Sequence, residues 1–140
     1  MDLSKSMNVT VVEAAAEADT DVVTGAIDMQ GYDGVMVVAK MAKANAGNYL
    51  KAGHDDAAGL GTIADIEGSK VVCTVNAQVL FIDIKKPVKR YVQVSFVRAG
   101  LASALGEVYI MKYGAIKQPI DNVKTGYVGK YLLEPASGTA

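Results

Sequence analysis

Along this chain, apolar and polar residues alternate in short runs divided by turn residues, and the period of most runs is nearer two than 3.6. Strands are therefore expected in place of helices. "NVTVVEA", Asn8–Ala14, opens the set, and "AEADTD" after it has loop composition. The overlapping "VVEAAAEAD" is the one stretch that suits a helix, because alanine and glutamate favour it, although its β-branched start and short length argue against it. A second strand is expected over Val22–Ile27, with Gln30, Gly31, Asp33 and Gly34 supplying the next turn.

"VMVVAKM", Val35–Met41, is a valine-rich run with the look of a central strand buried on both faces. The pattern resumes at "NYLKAGHDD" and breaks over the glycines of "AAGLGTIADIEGSK", where a long loop is expected. "VVCTVNA" and "QVLFIDI" give two further strands, or one strand bent near Asn76. The cleanest alternation is "KRYVQVSFVR", which puts Val92, Val94 and Phe96 on one face and Tyr91, Gln93 and Ser95 on the other. "GEVYIMKYG", Gly106–Gly114, completes a set of about eight strands at the spacing of a sandwich or barrel. The fold class expected is all-β: an antiparallel β-sandwich, of jelly-roll type, with an extended C-terminal segment.

Residues 1–113 are expected to form the sandwich domain and 114–140 the arm. This last stretch carries two of the three prolines, yet holds too many apolar residues for a plain linker. It can seal the domain's own core or bury its apolar groups on another subunit. On the second reading Tyr127, Val128, Tyr131, Leu132 and Leu133 face a partner, because buried aromatics dominate many interfaces.

Charge narrows the function classes. With 14 basic against 15 acidic side chains in 140 residues, the chain lacks the basic excess of a protein held mainly by phosphates. "KKPVKR", Lys85–Arg90, is a local exception. A proline among charges before a strand marks a solvated turn that discourages further pairing, and Tyr91 and Phe96 fall on opposite faces, so they build no base-stacking platform. Direct nucleic-acid binding is not expected. No N-terminal signal core or membrane-length apolar run is apparent, which predicts a soluble chain that folds in a reducing cytoplasm, with no membrane partner.

Candidate chemistry is sparse. Cys73 is the only cysteine and lies among valines, as a small apolar packer does. His54, the only histidine, precedes Asp55 and Asp56, but one loop with two carboxylates falls short of a zinc or calcium ligand set and reads as a polar turn. Nucleophile elbows and phosphate loops are missing, since Gly59 and Gly61 lack the lysine and the strand-turn-helix setting that a phosphate loop needs. No catalytic residue, metal or cofactor is expected. A carbohydrate-binding sandwich is the rival from another class, with Tyr32, Tyr49, Tyr109 and Tyr113 as its aromatic face and no tryptophan to strengthen it.

Three stretches resemble a group of small structural proteins of tailed bacteriophages. "AIDMQGYDGVMVV" is similar to that group's Ile-Asp-x-Gln-Gly-aromatic strand-turn-strand. "GHDDAA" resembles its His-Ser-Asp-Asp-Gly turn, with the serine missing and alanine in place of glycine. "KRYVQVSF" resembles its Lys-Arg-Tyr-Val strand, which leads through a glycine-rich turn to a last valine-rich strand, as "RAGLASALGEVYIM" does here.

In size and layout the chain looks like the cement, or decoration, proteins of phage heads. The resemblance implies a jelly roll that self-associates as a dimer or trimer. It also implies binding across neighbouring major capsid protein subunits on the outer surface of the virion, with neither catalysis nor cofactor. A head-completion or tail subunit has the same sequence requirements and stays open beside this reading.

Overall fold

A computed structural model describes residues 3–117 and Ser137. A single helical turn, α1 (Leu3–Ser6), precedes twelve strands: β1 (Asn8–Val12), β2 (Ala15–Ala18), β3 (Val22–Val23), β4 (Ile27–Asp28), β5 (Gly34–Met41), β6 (Asn48–Asp55), β7 (Ala64–Asp65), β8 (Val71–Val72), β9 (Gln78–Lys85), β10 (Tyr91–Arg98), β11 (Ser103–Leu105) and β12 (Val108–Tyr113). Every pairing between them is antiparallel.

Three couples of short strands each share one neighbour, β3 and β4 on β10, β7 and β8 on β6, and β11 and β12 on β5, while β1 and β2 pair with β12 and β11 in turn. The twelve strands therefore act as eight runs in two sheets. One sheet has the order β1/β2, β11/β12, β5, β9; the other has β3/β4, β10, β6, β7/β8. In chain order the first run lies beside the eighth, the second beside the seventh, the third beside the sixth and the fourth beside the fifth. That nesting is the jelly roll, and the expected all-β sandwich is what forms.

Period-two patterning fills the space between the sheets. Val35, Val37, Ala39 and Met41 of β5, Leu50 and Ala52 of β6, Leu80 of β9, Val92, Val94 and Phe96 of β10, and Val108 and Ile110 of β12 form one continuous core. The face assigned to Val92, Val94 and Phe96 is the buried one, with all three fully enclosed. Covering side chains of this size stabilises by roughly 1.5–3 kcal/mol each.

Several local expectations are corrected. "AAEA", Ala15–Ala18, is the strand β2 and not a loop or helix, because its backbone groups pair with β11 (Ala15 with Leu105, Ala18 with Ser103) and tertiary pairing outweighs the helix preference of alanine and glutamate. The expected Val22–Ile27 strand is split into β3 and β4 by Gly25, whose φ of 72° turns the chain between two stretches that both pair with β10. β8 and β9 belong to different sheets, so the residues around Asn76 are a crossover and not a bend within one strand. The glycine-rich loop contributes one short piece, β7, to the edge of β6, and the strand expected in "VVCTVNA" is the two-residue β8 on the same edge.

β5 is only partly as expected. Its inward residues are buried, whereas Met36 and Val38, pointing outward, are half-buried and Lys40 is exposed. The expected arm residues Tyr127, Val128, Tyr131, Leu132 and Leu133 lie outside the described residues.

Candidate functional site

The basic turn Lys85–Arg90 is tied to acidic residues from three other parts of the chain. Arg90 grips Asp28 with two parallel hydrogen bonds, Nε–H to Oδ1 at 2.9 Å and an Nη2–H to Oδ2 at 2.8 Å. That guanidinium, helped by the Gln30 N–H, holds the Asp28 carboxyl at about 2. Lys89 lies 3.6 Å from Asp56 and Lys85 lies 4.0 Å from Asp33. Much of the positive charge of this turn is thus balanced locally. The turn and the neighbouring Met29–Asp33 segment enclose a shallow groove of about 370 Å³, with Val88 protruding at its rim.

These ion pairs also join the three stretches that carry the phage resemblance. Asp28 belongs to "AIDMQG", Asp56 to "GHDD", and Lys89 and Arg90 to "KRYV"; all three meet at one end of the sandwich. The backbone agrees, since Tyr91 of β10 stands between Asp28 of β4 and Asp55 of β6.

His54, Asp55 and Asp56 do not converge. Asp55 is a buried latch: its carboxylate accepts from the Thr62 N–H at 2.8 Å, the Thr62 hydroxyl at 3.0 Å and the Asp56 N–H at 2.7 Å, so it closes the 56–62 loop on itself. The Thr62 N–H first of all, then the other donors, lowers its pKa against the effect of burial. Asp56 turns away to Lys89. Among the described residues no group of three or more His, Cys, Asp or Glu side chains is arranged to hold a metal ion. Cys73 is buried, donates weakly to the Val75 carbonyl at 3.3 Å, and has its pKa raised chiefly by that burial.

The tyrosines named for a sugar platform are dispersed. Tyr109 and Tyr113 project from the outer face of the β5 sheet, Tyr49 belongs to the other sheet with the Lys70 ammonium over its ring, and Tyr32 lies in the turn before β5 under Lys112.

What the strands do assemble is an apolar outer face. Strand register places Val11, Tyr109, Val38 and Phe81 in one row across β1, β12, β5 and β9, and Val9, Met111, Met36 and Asp83 in the next. Alternation sends all of these away from the core. Phe81 is 56 % exposed, Val79 beside it 57 % and Tyr109 42 %. Of the chain's two phenylalanines, Phe96 is in the core and Phe81 is on this surface. A shallow depression of about 450 Å³ runs along it between Val38, Lys40, Val79, Glu107 and Tyr109. Contiguous apolar surface of this kind marks an interaction site more often than chance.

Sequence reasoning missed this face, reading β5 as covered on both sides. The signal was present in "VMVV" and "VLFI", where apolar residues occupy both parities of a strand.

Neither a family model nor a curated protein matches the chain. Solved structures similar to it include the following two. One is from Bacillus endospore appendages, a family of disulfide-linked pili, at 14 % identity, covering 82 % of this chain and 94 % of that one with a TM-score of 0.45. The other is a family two carbohydrate esterase from Cellvibrio japonicus, at 11 % identity, covering 83 % of this chain and 36 % of that one with a TM-score of 0.32. Likenesses this distant say nothing of what this chain binds or does.

The far end of the sandwich is built for rigidity. Arg98, 3 % exposed, donates to the carbonyls of Thr20 at 2.7 Å, Ala16 at 2.8 Å and Ser103 at 2.6 Å. Asn48, fully buried, donates to the carbonyls of Lys43 and Leu101 and accepts from the N–H groups of Gly100 and Leu101. No buried side-chain N or O among the described residues lacks a partner. A scaffold this well satisfied holds its outer faces in fixed positions.

Proposed function

We propose that this protein is a virion structural protein that binds the outside of a phage head and reinforces contacts between major capsid protein subunits. The observation that carries the reading is the outer face of the β5 sheet, where Val38, Val79, Phe81 and Tyr109 lie on a rigid two-layer body. The meeting of the three phage-like stretches through Asp28–Arg90 and Asp56–Lys89 supports it.

A cement protein adds binding free energy at many equivalent sites of a shell that already holds together. Modest contacts suffice there, since the lattice repeats them and each bridge opposes separation of the subunits beneath it. Aromatic and aliphatic groups on a flat sheet supply apolar contact, and Lys40, Glu107 and Lys85 around them form a charged rim.

Mixing the purified protein with undecorated heads and imaging the particles tests this. Saturating, regularly spaced density on the shell is the expected result. Heads that remain bare at saturating protein overturn it, and density confined to the portal vertex or tail moves the role to head completion.

A further inference from the structure

Beyond this face, the same sheet ends at β9 among the described residues. The Gly106 N–H donates to the Lys40 carbonyl at 2.8 Å, so the even-numbered backbone groups of β5 face β12 and the odd-numbered ones bond β9. With Ala39 opposite Leu80 and Lys40 opposite Val79, the even positions of β9 bond inward. The N–H and C=O groups of Val79, Phe81 and Asp83 therefore point away from the sheet. Among the described residues no strand pairs with that side of β9.

Edges of this length are normally protected by charge, proline or a bulge. Here those devices gather at one end only, in Asp83, Lys85, Lys86 and Pro87, and leave Val79 and Phe81 exposed. We propose that β9 pairs antiparallel with β9 of a second copy of this chain, extending the β5 sheet across a two-fold axis.

The charge distribution selects this occupant. Turned end for end, the apolar half of one edge overlaps the apolar half of the other, while the charged ends point in opposite directions. Registers that bring Asp83 against Asp83 of the second copy are disfavoured by repulsion. The favoured one sets Val79 opposite Phe81 of the second copy, and by symmetry Phe81 opposite Val79. An aromatic group then meets a β-branched one twice, on the exposed side of both sheets. The pairing joins two outer faces into one and does not depend on the capsid reading.

Sedimentation of the full chain over about a hundredfold range of concentration tests it, because a dimer of this kind dissociates by mass action. A concentration-dependent dimer is expected. Phe81→Lys should weaken it by about tenfold or more. Val79→Pro should do the same by deleting an outward N–H that β5 does not use, and circular dichroism checks that both variants keep the fold. Under mild oxidation the Val79→Cys/Phe81→Cys double variant should give a cross-linked dimer. A chain that stays monomeric throughout, or a dimer that survives both Phe81→Lys and Val79→Pro, overturns the proposal.

Discussion

The Tyr113 ring lies across the side-chain-free backbone of Gly34, and its hydroxyl donates a 2.5 Å hydrogen bond to Asp83 on the far strand. Three strands are tied together on the outside of the sheet by one phenol. A Cβ on Gly34 would collide with the ring. Gly34→Ala is therefore expected to lift Tyr113 off, break its bond to Asp83 and destabilise the fold by about 1–3 kcal/mol, measured by urea denaturation. Gly34→Ala combined with Tyr113→Ala should cost less than the sum of the two single changes, because the collision is then gone.

Burial first, then the bond to Asp83, pushes the Tyr113 phenol up to about 12 from its ordinary 10.0. A raised pKa means that the protonated form is favoured by folding. Its contribution is complete below pH 10 and disappears as pH rises through 12. At the acidic end the Asp28 carboxyl, held at about 2 against an ordinary 3.8, contributes above 3.8 and loses its effect as pH falls toward 2. Thermal melts should show Tyr113→Phe flattening the alkaline decline and Asp28→Asn flattening the acidic one. The acidic effect should be small, since Asp28 and Arg90 are both partly exposed.

Arg98 donates to three separate backbone carbonyls at once. Arg98→Met should cost at least about 2 kcal/mol, because the carbonyls of Ala16, Thr20 and Ser103 lose their donor. Arg98→Lys should recover only part of that loss, as an ammonium lacks the planar fork that reaches all three. Denaturant midpoints of the two variants check the order.

The outer face should be separable from stability. Val38→Lys and Tyr109→Lys place charge on half-exposed positions and should change folding by under about 1 kcal/mol. Head binding should fall by about tenfold or more, as expected when an apolar contact is replaced by an unpaired charge. Quantitative pelleting with undecorated heads measures it; retention of full binding by both variants would move the contact to another surface.

Strands with a single buried face were legible from alternation alone, β10 most clearly, because burial of Val92, Val94 and Phe96 imposes a period that the sequence records directly. Pairing partners were not. Asp28, Asp33 and Asp56 reach the basic turn only because the jelly roll brings β4, the turn before β5 and the end of β6 to one pole. Nothing in their local sequence names Arg90 or Lys89. β2 was missed for the converse reason: its preference is local, and the β11 partner that overrides it lies far along the chain. The outer face needed the register of four strands before its residues could be seen as one surface.

The nested pairing has a further consequence for how the chain is made. Asn8 waits for Lys112 and Ile27 for Val92, so a ribosome must release nearly the whole body before the first strands find their neighbours. During that interval valine-rich segments are bare, and crowded polysomes are where this protein is most at risk of clumping. Slowing translation or supplying a chaperone early in expression should raise the yield of folded material more than any stabilising change to the finished structure.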